Sequence, residues 1–408
     1  MIKIINGDSI KELKKFPDNY FHSVVTDAPY GLSFMGKKWD YDVPSVELWQ
    51  EVFRVLKEGG YLLCFAGTRT QHRMAVNIED AGFEIRDMIA WVYGSGFPKS
   101  HNIGRAVDKL QGNEREIYNK PIAYPDSDCW GVPNKNKPLK KTMFQAGSRK
   151  MSGGFVEDTK GTSEWEGWGT ALKPALEPIT MARKPFKGTV ANNVLKNGVG
   201  GINIDDCRVE TTDKWEQQTN GLEQIQRKNA EQGFRPKNYY EDKKVISKTH
   251  TKGRFPANLI HDGSDEVKDL LEGSSRFFYC AKASKQDRNE GLEKTARKEG
   301  FEDKKLKGVN ASPRENSGKI KDLSLHKNNH PTVKPTDLMR YLVRLVTVKN
   351  GIVLDCFMGS GSTGKACALE GVNFVGIDLD KDYCKIAKAR IDKAIEDKRI
   401  MESQTKLF

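Results

Sequence analysis

No C-x-x-C pair occurs among the seven cysteines, which stand at positions 64, 129, 207, 280, 356, 367 and 384. Scattered this way they argue against a zinc site or a disulfide framework, and they fit a reducing cytosol. Also missing is any apolar run near the roughly 20 residues of a membrane span. Met1 leads directly into a strand pattern rather than a signal peptide. A soluble, cytoplasmic protein with no membrane partner is expected. Negative charge is the next shortage: 55 Asp and Glu face 67 Lys and Arg, a formal net charge of +12. Such a balance suits a polyanion, because clustered cations gain by releasing counterions from phosphates. A solvated basic surface would give the same charge, so composition leaves both open. The 408 residues suffice for a sizeable core and favour two domains over one.

The densest pattern lies near the carboxyl end. Ile352-Val353-Leu354 is an apolar strand, Asp355-Cys356-Phe357-Met358-Gly359-Ser360-Gly361-Ser362-Thr363-Gly364 a glycine turn, and Lys365 to Glu370 a helix start. Gly359, Gly361 and Gly364 keep the G-x-G-x-x-G spacing, which turns a backbone tightly, lets it approach a ligand and packs a helix on its strand. A second strand, Asn373 to Ile377, ends at Asp378, where a carboxylate can bind ribose hydroxyls. On spacing alone the loop suits a dinucleotide, a nucleoside triphosphate or S-adenosylmethionine. Gly359 to Lys365 also fits the P-loop, but Ala366 lacks the hydroxyl that would hold Mg²⁺.

In the amino-terminal half, Lys3-Ile4-Ile5 begins a strand followed by Gly7-Asp8, and Ser23-Val24-Val25-Thr26 runs into Asp27-Ala28-Pro29-Tyr30. An acid, a proline and an aromatic at the carboxyl end of a parallel strand lie where open α/β sheets bind ligands. Methylating an exocyclic amine requires acceptors for its N–H groups, to localise a lone pair otherwise delocalised into the ring. Asp27 and the carbonyl of Pro29 are such acceptors, and Tyr30 can stack on a base flipped from the duplex. An ordinary strand-to-loop turn also uses Asp and Pro. Helical spacing over Val46 to Lys57, ended by Gly59-Gly60, then a strand Tyr61 to Ala66, a helix capped by Thr68 and a strand Phe83 to Tyr93 predict a mostly parallel sheet with helices on both faces.

Asp-Ala-Pro-Tyr resembles the Asp-Pro-Pro-Tyr signature of DNA amino-methyltransferases, and Asp355 to Thr363 resembles their Phe-x-Gly-x-Gly cofactor loop. His330-Pro331-Thr332-Val333-Lys334-Pro335 is similar to a third motif, and the order of the three resembles the circularly permuted beta group of adenine-N6 and cytosine-N4 enzymes, of phage or restriction-modification type. One departure is Ala28, where the family usually has proline. The resemblance implies an α/β, Rossmann-like S-adenosylmethionine-dependent methyltransferase fold with an inserted target-recognition region. It implies Asp27, Pro29 and Tyr30 as catalytic residues and Asp355, Phe357, Gly359 and Gly361 around the methionine group. Asp378 would hold the ribose and Asp8 the cofactor adenine, with Thr332, Lys334 and Thr336 closing the pocket. No metal is implied. Double-stranded DNA is the implied partner, with room for a homodimer and a cognate restriction endonuclease. An Asp at position 27 is usual in adenine-N6 members, whereas cytosine-N4 members usually have Ser or Thr there.

The expected divisions are a catalytic half over 1–186, including a mobile basic loop at about 119–169, a target-recognition region over 187–329 with strands near Arg254 to Leu259 and Arg276 to Cys280, and a cofactor-binding half over 330–408. A nicotinamide-dependent oxidoreductase would leave Asp27 to Tyr30 and His330 to Pro335 unexplained. A DNA-binding relative without catalysis is opposed by the intact acid, aromatic and glycine motifs.

Overall fold

The computed structural model describes residues 1–32, 40–94, 96, 100–121, 150–152, 155–210, 253–265, 267, 277–292 and 328–405. They form two compact units, Ser95–Ala175 and the remainder of the chain.

The larger unit is built on a nine-stranded sheet. In chain order its strands are β1 (Ile2–Asn6), β2 (Phe21–Thr26), β3 (Leu56–Phe65), β4 (Glu84–Val92), β8 (Leu176–Arg183), β9 (Leu259–His261), β10 (Phe278–Tyr279), β11 (Ile352–Asp355) and β12 (Asn373–Asp378). In space they run β1-β12-β11-β2-β3-β8-β4-β9-β10. Among the described residues, only β8 is antiparallel to its neighbours in this sheet. The late strand β11 therefore lies directly beside the early strand β2, with Val353 opposite Ser23 and Leu354 opposite Val24. Parallel neighbours send their following loops out of the same end of the sheet, where α/β proteins bind ligands.

Strand side chains alternate between faces, and here each face has its own core. Val25, Leu63, Phe65, Val353 and Phe374 bury one face against α7 (Thr336–Val346), α8 (Ser362–Glu370) and α9 (Lys381–Thr405). Their neighbours Val24, Leu62, Cys64, Leu354 and Val375 bury the other against α1 (Ser9–Leu13), α2 (Val46–Val55) and α3 (Gln71–Asp80). Continuous apolar runs mark strands covered on both sides.

Some boundaries differ from the sequence expectation. Helix α2 stops at Val55 and the strand begins at once, so Gly59-Gly60 lie inside β3 rather than ending a helix. Gly59 has φ +81°, and a Cβ there would meet the Asn193 amide nitrogen at 2.1 Å, so glycine is required. Helix α3 starts after Thr70, not Thr68. Strands β9 and β10 extend the main sheet beside β4.

In the unit Ser95–Ala175, β5 (Glu116–Pro121), β6 (Lys150–Ser152) and β7 (Phe155–Lys160) form an antiparallel sheet in the order β5-β7-β6, beside α4 (Ile103–Gln111). Arg115 joins the buried Asp108 to Glu166. Strands thus occupy both ends of the stretch expected as a loop. Of the basic run Lys135, Lys137, Lys140, Lys141, Arg149 and Lys150, the first five lie outside the described residues and Lys150 begins β6. The helix that follows β8 is α5 (Val190–Asn197), and α6 (Lys285–Asn289) precedes the residues from 328 onward.

Candidate active site

Two loops face one another at the carboxyl ends of β2 and β11. The first, Asp27 to Tyr30, is held at both sides of its aromatic residue. The Asp40 carboxylate, 2% exposed, accepts the amides of Tyr30 at 2.7 Å, Gly31 at 3.0 Å and Leu32 at 3.3 Å. The Thr70 hydroxyl donates to the Tyr30 carbonyl at 2.6 Å. Ala28 is buried, and Pro29 is half-buried next to it.

A compact charge cluster organises the side chains of this loop. Lys334 Nζ, on a residue 7% exposed, lies 2.7 Å from Asp27 Oδ2, 3.3 Å from Glu177 Oε2 and 3.1 Å from the Tyr30 hydroxyl. The Tyr30 hydroxyl is 3.0 Å from Asp27 Oδ1 and 3.1 Å from Glu177 Oε2. Glu177 Oε1 accepts from the Tyr93 hydroxyl at 3.2 Å. Burial and the Glu177 charge push the Asp27 pKa up against the pull of Lys334. Burial opposes protonation of Lys334, yet its two carboxylate partners win and hold it above the ordinary lysine value. Burial and the same carboxylates drive the Tyr30 phenol well above its usual value, so it stays protonated.

The second loop carries the glycines. Asp355, 2% exposed, accepts from Thr26 Oγ1 at 2.7 Å, Thr363 Oγ1 at 2.5 Å and the Phe357 amide at 3.1 Å. It thereby ties β2, β11 and the first turn of α8 together behind the loop. Gly359 and Gly361 have φ of +52° and +80°. A Cβ on Gly359 would meet His330 Nε2 at 2.7 Å, one on Gly361 would meet Ala387 Cβ at 2.7 Å, and one on Gly364 would meet Ile391 Cδ1 at 2.4 Å. Asp378 accepts the Gly359 amide at 2.7 Å through Oδ2 and the Asp380 amide at 2.8 Å through Oδ1. A carboxylate has about four lone-pair sites, so acceptor capacity for two hydroxyls remains.

Behind the loop, the fully buried Arg390 donates to the Ser360 carbonyl at 2.7 Å and to the Asp287 carbonyl at 3.0 Å. Asp287 in turn accepts the Thr336 amide at 2.9 Å and its hydroxyl at 2.5 Å, and so caps α7 from another helix. Lys365 is paired with Asp287 at 3.0 Å and with Glu290, which leaves it turned to carboxylates rather than to a phosphate.

The candidate residues of the sequence are thus distributed in three ways. Asp27, Tyr30 and Lys334 are in one cluster, and Asp355, Phe357, Gly359, Gly361 and Asp378 make or brace the glycine loop. Asp8 is the N-cap of α1 after β1, accepting from the Lys11 amide at 3.1 Å. Thr332 is exposed, and Thr336, whose hydroxyl directly after Pro335 would suit an N-cap, is instead the first residue of α7 and is itself capped by Asp287. Glu177, Asp40, Thr70 and Asp287 were not singled out by the sequence.

The Asp355 environment has a measurable consequence. Burial raises its pKa from 3.8 to about 6 in spite of its three donors. The folded state therefore keeps a proton that the unfolded state loses between these values, so this residue's contribution falls as pH rises from about 4 to about 6. The drop should be roughly 3 kcal/mol. Asp355→Asn removes the titration, so the stability difference between wild type and variant, from urea unfolding across this window, should shift by that amount. An unchanged difference would show that Asp355 does not titrate there.

A mostly parallel α/β sheet with a glycine loop and an acid-aromatic turn leaving adjacent strands defines a Rossmann-like protein. The model of the DNA methylase family, which groups N6 and N4 methyltransferases, matches residues 21–389, and the chain belongs to that family. Its fold is accordingly the Rossmann-like methyltransferase fold that the motifs implied. The type II methyltransferase M.HindIII of Haemophilus influenzae is 27% identical over 244 residues, 49% of this chain and 64% of that protein. The type II methyltransferase M2.LlaDCHI of Lactococcus lactis subsp. cremoris is 44% identical over 64 residues, 16% of this chain and 24% of that protein. Both matches span less than two thirds of the relative's length. The solved M1.HpyAVI-SAM complex aligns over 96% of this chain and 100% of its own, with 17% identity and a TM-score of 0.40.

Proposed function

We propose that this protein is a site-specific DNA methyltransferase that moves the methyl group of S-adenosylmethionine to the exocyclic amine of a flipped base, with adenine N6 the favoured target. The observation that carries this reading is the register of β2 beside β11, which sends the Asp27–Tyr30 turn and the glycine loop out of neighbouring strand ends.

The residues of the glycine loop fit the cofactor. Gly359 and Gly361 keep the backbone bare, and the remaining acceptor capacity of Asp378 suits the two ribose hydroxyls. Phe357 and Asp8 follow β11 and β1, the two strands that border β12. When bound, S-adenosylmethionine supplies a methyl group on a positively charged sulfur. Asp27 and the Pro29 carbonyl accept the amine hydrogens and localise its lone pair, and Tyr30 offers its ring to the base. Lys334 fixes the Asp27 carboxylate from the opposite side. Most of the rate comes from holding the amine and methyl in line, with the acceptors stabilising charge that develops on nitrogen.

Adenine is favoured because the motif begins with Asp27. Either base presents an amine with two hydrogens, so the choice of base rests on pocket shape and ring-edge contacts. Double-stranded DNA is the proposed substrate. We assign residues 1–186 and 330–408 to the catalytic and cofactor halves and 187–329 to target recognition, apart from β9, β10 and α6, which the main sheet and the support of the glycine loop take up.

The cofactor assignment is tested at Asp378. Asp378→Ala should weaken S-adenosylmethionine binding by about 1.5–3 kcal/mol, the worth of hydrogen bonds to a charged group. Calorimetry giving wild-type affinity in a folded variant would remove Asp378 from the site.

A further inference from the structure

Glu177 lies on β8, which runs antiparallel to β3 and β4, and belongs to none of the sequence motifs. Its Oε2 is 3.1 Å from the Tyr30 hydroxyl, whose other carboxylate neighbour, Asp27 Oδ1, is 3.0 Å away. A phenol has a single hydrogen, so Tyr30 satisfies one of these carboxylates at a time. Its oxygen is within hydrogen-bond distance of both, so passing that hydrogen from one to the other requires no movement of heavy atoms. Lys334 Nζ touches all three groups, at 2.7 Å, 3.1 Å and 3.3 Å from Asp27, Tyr30 and Glu177 respectively.

The charge count points the same way. Two carboxylates share one ammonium, so these three groups carry one negative charge in excess, at side chains only 18% and 21% exposed for Asp27 and Glu177, where partial burial makes such a charge costly. One additional proton makes it neutral. Methyl transfer releases one proton at the same place. The amine lone pair forms the new N–C bond, the C–S bond breaks with its electrons going to sulfur, and nitrogen must then lose a hydrogen to return to neutrality.

On the methyltransferase reading above, we propose that Glu177 is the proton acceptor of the reaction, reached through Tyr30. The amine proton passes to Asp27 Oδ1 as the N–C bond forms. Tyr30 takes it there and gives its own hydrogen to Glu177 Oε2, which restores both the Asp27 carboxylate and the phenol. Lys334 stabilises the negative charge on the phenol oxygen in transit, and the Tyr93 hydroxyl at 3.2 Å from Oε1 holds the Glu177 carboxylate in place. Glu177, with a side chain 21% exposed, returns the proton to water. Tyr30 therefore has two jobs, a ring for the base and a hydroxyl for the proton.

The test is single-turnover transfer of labelled methyl from S-adenosylmethionine to unmethylated double-stranded plasmid DNA. Glu177→Gln keeps the shape and an acceptor oxygen but not the basicity. It should slow transfer by about 10²-fold, the lower end of what a positioned base contributes, with cofactor affinity by calorimetry within about twofold. Tyr30→Phe keeps the ring and breaks the path, so it should slow transfer comparably. The double variant should be no slower than the slower single one, since both cut one route. Added formate should restore rate to Glu177→Ala in proportion to its concentration, which a purely structural role would not permit. Wild-type rates in Glu177→Gln or in Tyr30→Phe overturn the proposal, and so do losses that multiply in the double variant. Should Glu177→Gln fail to fold, Tyr30→Phe alone decides. A wild-type protein that transfers no methyl to DNA would instead refute the methyltransferase reading itself.

Discussion

Asp27→Ala is expected to bind S-adenosylmethionine as tightly as wild type and to methylate DNA at least about 10²–10³-fold more slowly. That loss is the usual effect of removing one preorganised group that stabilises developing charge. The separation of the two effects follows from the sheet. Asp27 leaves β2 toward the charge cluster, whereas the cofactor contacts proposed at Gly359 and Asp378 belong to β11 and β12. The fold should survive, because the buried Lys334 keeps Glu177 as a partner at 3.3 Å when Asp27 is gone. Calorimetry with S-adenosylmethionine and a methyl-incorporation assay on the same preparation check both halves. A variant that methylates at the wild-type rate would deny Asp27 its catalytic role.

Gly361→Ala is expected to disrupt the cofactor loop and destabilise the chain together. At φ +80° an L residue is strained by roughly 1–2 kcal/mol. The new Cβ would also meet Ala387 Cβ at 2.7 Å and its Cα at 2.8 Å, and a helix backbone cannot swing aside as a flexible side chain can. Overpacking of this kind adds about 1–3 kcal/mol. Cofactor affinity should fall at least tenfold, because α9 forces the loop out of its turn. Gly112→Ala is the control, with φ +71° and nothing within 4 Å of its Cβ position. It should cost roughly 1–2 kcal/mol by backbone strain alone and leave cofactor binding unchanged. Equal effects of the two substitutions on affinity would show that the approach of α9 to Gly361 does not set the loop.

Much of the sheet was legible in the sequence because strands covered on both faces are written as unbroken apolar runs. Val24-Val25, Leu62 to Phe65, Val353-Leu354 and Phe374-Val375 are such runs, and each divides its residues between the two cores. The glycine loop was legible because its spacing answers three separate demands, at His330, at Ala387 and at Ile391. What sequence could not give were pairings across the sheet order. Glu177 reaches Tyr30 from a strand that follows 147 residues later, and only the insertion of β8 between β3 and β4 brings it there. Asp287 caps α7 across 49 residues, a partner that the residues next to Thr336 in the chain do not reveal. The Gly59-Gly60 pair misled for a local reason. Two glycines after an amphipathic helix ordinarily end it, but Gly59 instead makes room for the Asn193 amide inside a strand.

Nucleoside mass spectrometry tests the proposed function most directly. Unmodified double-stranded DNA is incubated with the protein and S-adenosylmethionine, then digested to nucleosides and analysed. N6-methyladenine is the expected product, absent from reactions with Asp27→Ala. N4-methylcytosine as the only product would contradict the adenine assignment and keep the amine chemistry, whereas DNA left without any methylated nucleoside by a folded, cofactor-binding protein would contradict the proposal as a whole.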